Sequence, residues 1–218
     1  MVTFYEQAVT PGCLWAINHL RVCDFIGGFY LAGGTGLALQ IGHRISTDLD
    51  WFSATCRLDT AVREQISQTL RERGQFEVVS EQDGMLFTRV LGVDVSFVYQ
   101  HHPLLESTVE YRGVQLASPT DIGLMKLAAI VSRGTRRDFV DLYCLREIAP
   151  LDRLLELATR KYADRPHFQV VAARALAYFE DAEQQPMPEL LAPVRWMDVR
   201  RYCEEAARRL ARRLSGLD

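Results

Sequence analysis

The chain has 218 residues, 48% of them hydrophobic and 24% charged, with a formal net charge of −3. That length allows one sizeable core, or one core with a helical appendage, and the composition is that of an ordinary soluble globular protein. The small negative charge excludes nucleic-acid binding driven by a global positive excess, so any such site must be a local patch.

The opening residues MVTFYEQAVTPG lack the basic start and apolar run of a signal peptide. No stretch reaches the roughly 18 apolar residues of a membrane span, so a cytoplasmic protein is expected. Cys13, Cys23, Cys56, Cys144 and Cys203 are odd in number, widely spaced and without a Cys-x-x-Cys pair, which reads as reduced and structural. Thr10-Pro11 has the N-cap and N1 chemistry of a helix start; Leu14, Ile17, Val22 and Phe25 supply its apolar face and Gly27-Gly28 stops it.

The stretch Phe29 to Ser53 then reads as strand, glycine turn, helix, basic turn and strand. Gly33 and Gly34 let the backbone turn tightly, so that the first helical amides near Thr35 offer an anion a site of positive dipole character. After the turn Gly42-His43-Arg44-Ile45-Ser46-Thr47, the predicted strand Asp48 to Phe52 has period two. Asp48 and Asp50 therefore share one face, roughly 6.5 Å apart along the strand. Two like charges so placed are costly unless a cation lies between them, and Mg²⁺ (or Mn²⁺) is a hard ion that takes one or two carboxylates together with substrate phosphates. Gly33-Gly34-Thr35, Gly42-His43-Arg44, Ser46 and Asp48-Leu49-Asp50-Trp51-Phe52 together resemble the AbiEii/AbiGii-type toxins, minimal nucleotidyltransferases of the DNA polymerase β superfamily. The resemblance implies that Gly33, Gly34, Thr35, Arg44 and Ser46 bind nucleotide and that Asp48 and Asp50 are catalytic metal ligands.

Asp59-Thr60 can cap a helix with Val62, Ile66 and Leu70 on one face, ended by Gly74. Three strand-like runs follow, Phe76 to Ser80, Met85 to Leu91 and Val93 to Tyr99, and Asp83-Gly84 between the first two is a hairpin signal that makes the sheet partly antiparallel. In the third run Val93, Val95 and Phe97 alternate with Asp94, Ser96 and Val98. A solvated strand face is the ordinary reading of that Asp. Beside the Asp48/Asp50 pair, Asp94 is the natural third metal carboxylate, and the resemblance implies a later-strand acid that completes the metal site or acts as general base. His101 and His102 read as surface residues, and Tyr111 to Leu116 as a short strand around Gly113.

Ser118-Pro119-Thr120-Asp121 is a strong helix start, with Leu124, Leu127, Ala128 and Val131 on the buried side. Lys126, flanked by that apolar face, reads from the pattern alone as a snorkelling surface residue; residues 117 to 127 again resemble the toxin family, which implies a place for Lys126 on the nucleotide's triphosphate. Gly134 ends this helix and Thr135-Arg136-Arg137-Asp138-Phe139-Val140-Asp141-Leu142 starts the next, a further match in which Asp138 and Asp141 share a helix edge. A charged helix N-terminus accounts for Asp138 as well as function does, while Asp141 leans to function, positioning Lys126 or touching the acceptor. Residues 150 to 218 read as helical, broken near Arg165-Pro166 and Gln185-Pro186-Met187-Pro188. The arginines of the last helix read as a solvated face, with an acceptor-RNA surface as the sharper alternative.

The expectation is an α/β (α+β) nucleotidyltransferase fold: a core with a mixed sheet over residues 1–117, then a helical region over 118–218 of which 118–146 completes the active site. The implied function is Mg-dependent transfer of a nucleoside monophosphate from an NTP, with pyrophosphate released. The implied acceptor is RNA such as a tRNA 3′ end, and the implied role is the toxin of a toxin–antitoxin system with a cognate antitoxin as partner and no membrane. A small-molecule nucleotidyltransferase of antibiotic-modifying type, or a non-catalytic nucleotide-binding module, would share the core.

Overall fold

The computed structural model describes residues 3–216 and divides into two compact units, with the division between Ser118 and Pro119. In the first, Thr10 caps helix α1 (Pro11–Leu20) by accepting from the Cys13 amide, and Cys13, Ala16, Ile17 and Leu20 form its buried face. The helix ends earlier than the apolar pattern predicts. Val22 is exposed and Phe25 sits in a following 3₁₀ turn, because Arg21 closes the last helical hydrogen bond and residues 24–28 tighten.

Seven strands form one mixed sheet. They are β1 (Tyr30–Leu31), β2 (Leu49–Ser53), β3 (Phe76–Gln82), β4 (Met85–Val90), β5 (Val93–Tyr99), β6 (Val109–Tyr111) and β7 (Val114–Leu116), ordered β3-β4-β5-β2-β1-β7-β6. β2 runs parallel to β5, and β1 parallel to β7; the remaining pairs are antiparallel. The two-residue turn at Asp83-Gly84 forms as predicted, with Gly84 at φ +77°. The next turn, Leu91-Gly92, has both residues at positive φ, as a type I′ hairpin requires, with a leucine where Asn or Gly would be expected. Tyr111 to Leu116 is two strands joined at Arg112-Gly113 and not one.

One face of β2, β5 and β4 is apolar: Leu49, Trp51, Val95, Phe97 and Leu86 join the core that α1 and helix α3 (Thr60–Arg73) also enter. Asp59 caps α3 through the Val62 amide. The period of two then forces Asp50, Ser96, Phe87 and Arg89 onto the opposite face. Helix α2 (Gly33–Ile41) links β1 to β2 and ends at Gly42, φ +63°.

The second unit is helical. It comprises α4 (Pro119–Ser132), α5 (Arg136–Cys144), α6 (Leu151–Lys161), α7 (Phe168–Ala175), α8 (Glu180–Glu183) and α9 (Trp196–Leu214). Thr135 caps α5 by accepting from the Asp138 amide. Several arginines of α9 meet acids within the same unit, as Arg209 does with Asp152 at 2.8 Å, Arg200 with Glu183 at 2.7 Å and Arg208 with Glu204 at 3.3 Å, which supports the solvated-face reading. Among the described residues no helix is long and apolar enough to cross a membrane.

Candidate active site

The glycines are not a turn before the helix but its first turn: α2 begins at Gly33, and the Gly36 amide already bonds the Ala32 carbonyl at 2.8 Å. The amides of Gly33, Gly34 and Thr35 are thus the orphan donors of a helix N-terminus. Both glycines are needed for packing. Gly33 has φ +60°, and a Cβ there would overlap the Asp50 carboxylate; a Cβ on Gly34 would overlap the Arg44 guanidinium and lie 2.9 Å from Ser46 Oγ. The missing side chains are what bring Asp50 and Arg44 against the helix start.

Around this helix start the basic turn is held from inside. Arg44, 3% exposed, donates to the Ile45 carbonyl at 3.0 Å and to Ser46 Oγ at 3.5 Å, and Ser46 Oγ donates to Asp48 Oδ1 at 3.4 Å. The Thr35 hydroxyl, buried, donates to the Asp48 carbonyl, so its side chain anchors the entry to β2. Asp48 lies just before β2 and Asp50 within it; both are half-buried and line one cleft of about 390 Å³.

The parallel register sets Asp50 opposite Ser96, whose hydroxyl donates to Asp50 Oδ1 at 2.6 Å. Sequence reasoning passed over Ser96, and its only sequence signal was a place two residues after Asp94 on the same strand face. Asp94 lines the same cleft but is exposed, and its Oδ1 holds Arg89 at 2.9 Å. Asp48 and Asp50 offer hard carboxylate oxygens of the type a divalent cation takes, and the absent Cβ of Gly33 leaves the space that Asp50 uses; the carboxylates of Asp48, Asp50 and Asp94 do not all come within 4.8 Å of one another.

In the helical unit Lys126 is 7% exposed, so it is not a snorkelling surface residue. Its Nζ sits 3.0 Å from Asp138 Oδ1 and 2.7 Å from Asp141 Oδ2, with both acids buried. Burial pushes the Asp138 carboxyl up, but the Lys126 ammonium, the Thr135 hydroxyl at 2.6 Å and Arg133 outweigh it and hold it below the usual value. A second buried pair, Lys161 with Asp121 at 2.8 Å, joins α6 to α4 and was not foreseen. The histidines divide: His101 is exposed, whereas His102 is buried and shares a 3.0 Å hydrogen bond with Gln100, so the surface reading fails for His102.

Residues 19–208 match the profile of the family described as nucleotidyl transferase AbiEii toxin, type IV TA system. An uncharacterized protein of Aquifex aeolicus (strain VF5) is 33% identical over 175 residues, which span 78% of this chain and 81% of that protein. Among solved structures, the nucleotidyltransferase toxin MenT4 from Mycobacterium tuberculosis H37Rv is similar with a TM-score of 0.57 at 19% identity, covering 90% of this chain and 82% of that one. JHP933 from Helicobacter pylori is similar with a TM-score of 0.51 at 15% identity over 98% and 96%. The α/β architecture is that of the nucleotidyltransferase fold, and the chain belongs to the AbiEii family of nucleotidyltransferase toxins.

Proposed function

We propose that this nucleotidyltransferase moves a nucleoside monophosphate from an NTP to the 3′ end of an RNA, a tRNA being the class the family implies, and acts as a toxin restrained by a cognate antitoxin. The observation that supports the reading is the close approach of Gly33, at the start of a helix, to the Asp50 carboxylate. Anion donors beside acids make sense for a substrate whose phosphates bring their own cation. Asp48 and Asp50, with Asp94 as third donor or base, would hold Mg²⁺ or Mn²⁺, which supplies charge neutralisation at the attacking and leaving oxygens.

The chain's own residues do the rest. The amides of Gly33, Gly34 and Thr35 hold the departing phosphates, Arg44 and Ser46 brace the turn beneath them, and Ser96 fixes the orientation of Asp50. The acceptor hydroxyl oxygen bonds to the α-phosphorus as the bond to the α–β bridging oxygen breaks. Pyrophosphate leaves with the electron pair, and the hydroxyl proton passes to Asp94 or to solvent. Lys126 is assigned to the triphosphate and Asp141 to positioning Lys126, on the family match of these positions and their 2.7 Å ion pair.

Incubation with each labelled NTP, Mg²⁺ and total cellular RNA tests this. Label on RNA in the wild type and none with Asp48→Asn is expected. Label appearing only on a small molecule would make the chain an antibiotic-type transferase, and label nowhere would leave it a nucleotide-binding module.

A further inference from the structure

The sheet register carries the Asp50 row across three further strands: Asp50 stands opposite Ser96 of β5, Ser96 opposite Phe87 of β4, and Phe87 opposite Ser80 of β3. Phe87 is 36% exposed and lines the carboxylate cleft between Ser96 on one side and Ser80, with the bulged Val79, on the other, so part of its ring faces the cleft. The row beside it runs Asp94, Arg89, Glu77, and Arg89 is the single cation among the described residues that line the cleft. It touches Asp94 at 2.9 Å and Glu77 at 3.5 Å. A guanidinium has five N–H donors, more than these contacts use, so it can hold a phosphate oxygen as well.

The order of parts along the sheet gives the row a direction. β1 pairs with β2 on the edge away from β5, and α2 starts two residues after β1, so Gly33 flanks Asp50 on one side and Ser96 and Phe87 on the other. Two strand spacings put the Phe87 backbone about 10 Å from that of Asp50. In phosphoryl transfer the attacking and leaving oxygens are roughly in line. With the leaving phosphates at Gly33 and Gly34, the nucleophile must enter from the Phe87 side.

We infer that Phe87 is a stacking platform for the terminal base of a single-stranded RNA acceptor, and that Arg89 holds that nucleotide's phosphate. The inference rests on the transferase reading for its direction. An aromatic face takes any base, because stacking is sequence-tolerant, while the cation beside it selects a phosphate-bearing occupant over an apolar peptide.

The test is equilibrium binding, without NTP, of a short single-stranded RNA with 2-aminopurine at its 3′ end. Wild type and Phe87→Trp should quench the fluorescence. Phe87→Ala should lose the quench and bind about tenfold more weakly. Arg89→Gln should keep the quench, weaken binding and lower the salt slope by about one. Melting curves check that each variant folds, which the exposure of Phe87 and Arg89 favours. Wild-type quench and affinity in Phe87→Ala would overturn the inference, as would a change confined to the KM for NTP, which would put the incoming nucleotide's base on the ring. Phe87-dependent quenching in a protein that labels nothing with NTP would uphold the platform while the transferase reading fell; labelling of RNA with Phe87→Ala indistinguishable from wild type would do the reverse.

Discussion

Gly33 and Asp50 are packed so closely that the side chain of one exists at the expense of the other: a Cβ on Gly33 would overlap Asp50 Oδ2 and stand 3.0 Å from Asp50 Cβ. Gly33→Ala must therefore push the carboxylate out of place, and at φ +60° the alanine itself is strained by about 1–2 kcal/mol. We expect kcat/KM to fall by at least about 100-fold, since a misplacement near 1 Å costs that much, with a melting temperature lower by several degrees. Wild-type kcat/KM in Gly33→Ala would remove Asp50 from the mechanism.

Asp48→Asn and Asp50→Asn should each abolish transfer yet leave the fold intact or slightly more stable, because a like charge is removed from a shared cleft. Mn²⁺ binding followed by paramagnetic resonance gives a readout apart from turnover, and it should weaken in both variants. Undiminished transfer in excess chelator would refute the metal assignment.

Local chemistry made much of this legible. Thr10 and Asp59 cap the helices they were expected to cap, and Gly84 turns where Asp-Gly predicts. What the sequence could not show was the pairing of distant segments. That β5 lies parallel to β2, with Ser96 and not Asp94 opposite Asp50, is a register, and register follows from two buried faces fitting together. Leu91 at φ +51° was illegible for a related reason: strand pairing on both sides imposes a turn that its side chain disfavours. Lys126 misleads by pattern alone, since its burial depends on two acids reaching it from the next helix.

Because Lys126 is buried between Asp138 and Asp141, Lys126→Ala strands two carboxylates without their cation, and removing one partner of a buried pair costs about 3–5 kcal/mol. Loss of a phosphate contact would add a rise in the KM for NTP equivalent to about 2 kcal/mol. The two effects separate in the triple variant Lys126→Met, Asp138→Asn, Asp141→Asn. Stability should largely return there while NTP use stays impaired. Recovery of both would make Lys126 purely structural.

The same cluster sets an acid limit on stability. The folded Asp138 carboxyl titrates below the ordinary value of 3.8, so between that value and its folded one the unfolded chain binds more protons. Its contribution is therefore fully present well above pH 3.8, including at neutral pH, and is lost as the pH falls through the folded value. Asp138→Asn cannot lose it, so urea midpoints for the wild type should drop more steeply than those of the variant from about pH 4 downward, while the two run parallel above about pH 5. The variant should also be less stable throughout the upper range, because Lys126 then keeps a single buried acid. Arg133→Gln, which removes the outermost of the three groups lowering the Asp138 carboxyl, should shift the acid limb only slightly upward, since Arg133 is 64% exposed and water screens it. Equal acid slopes in wild type and Asp138→Asn would mean that other carboxylates set the limit.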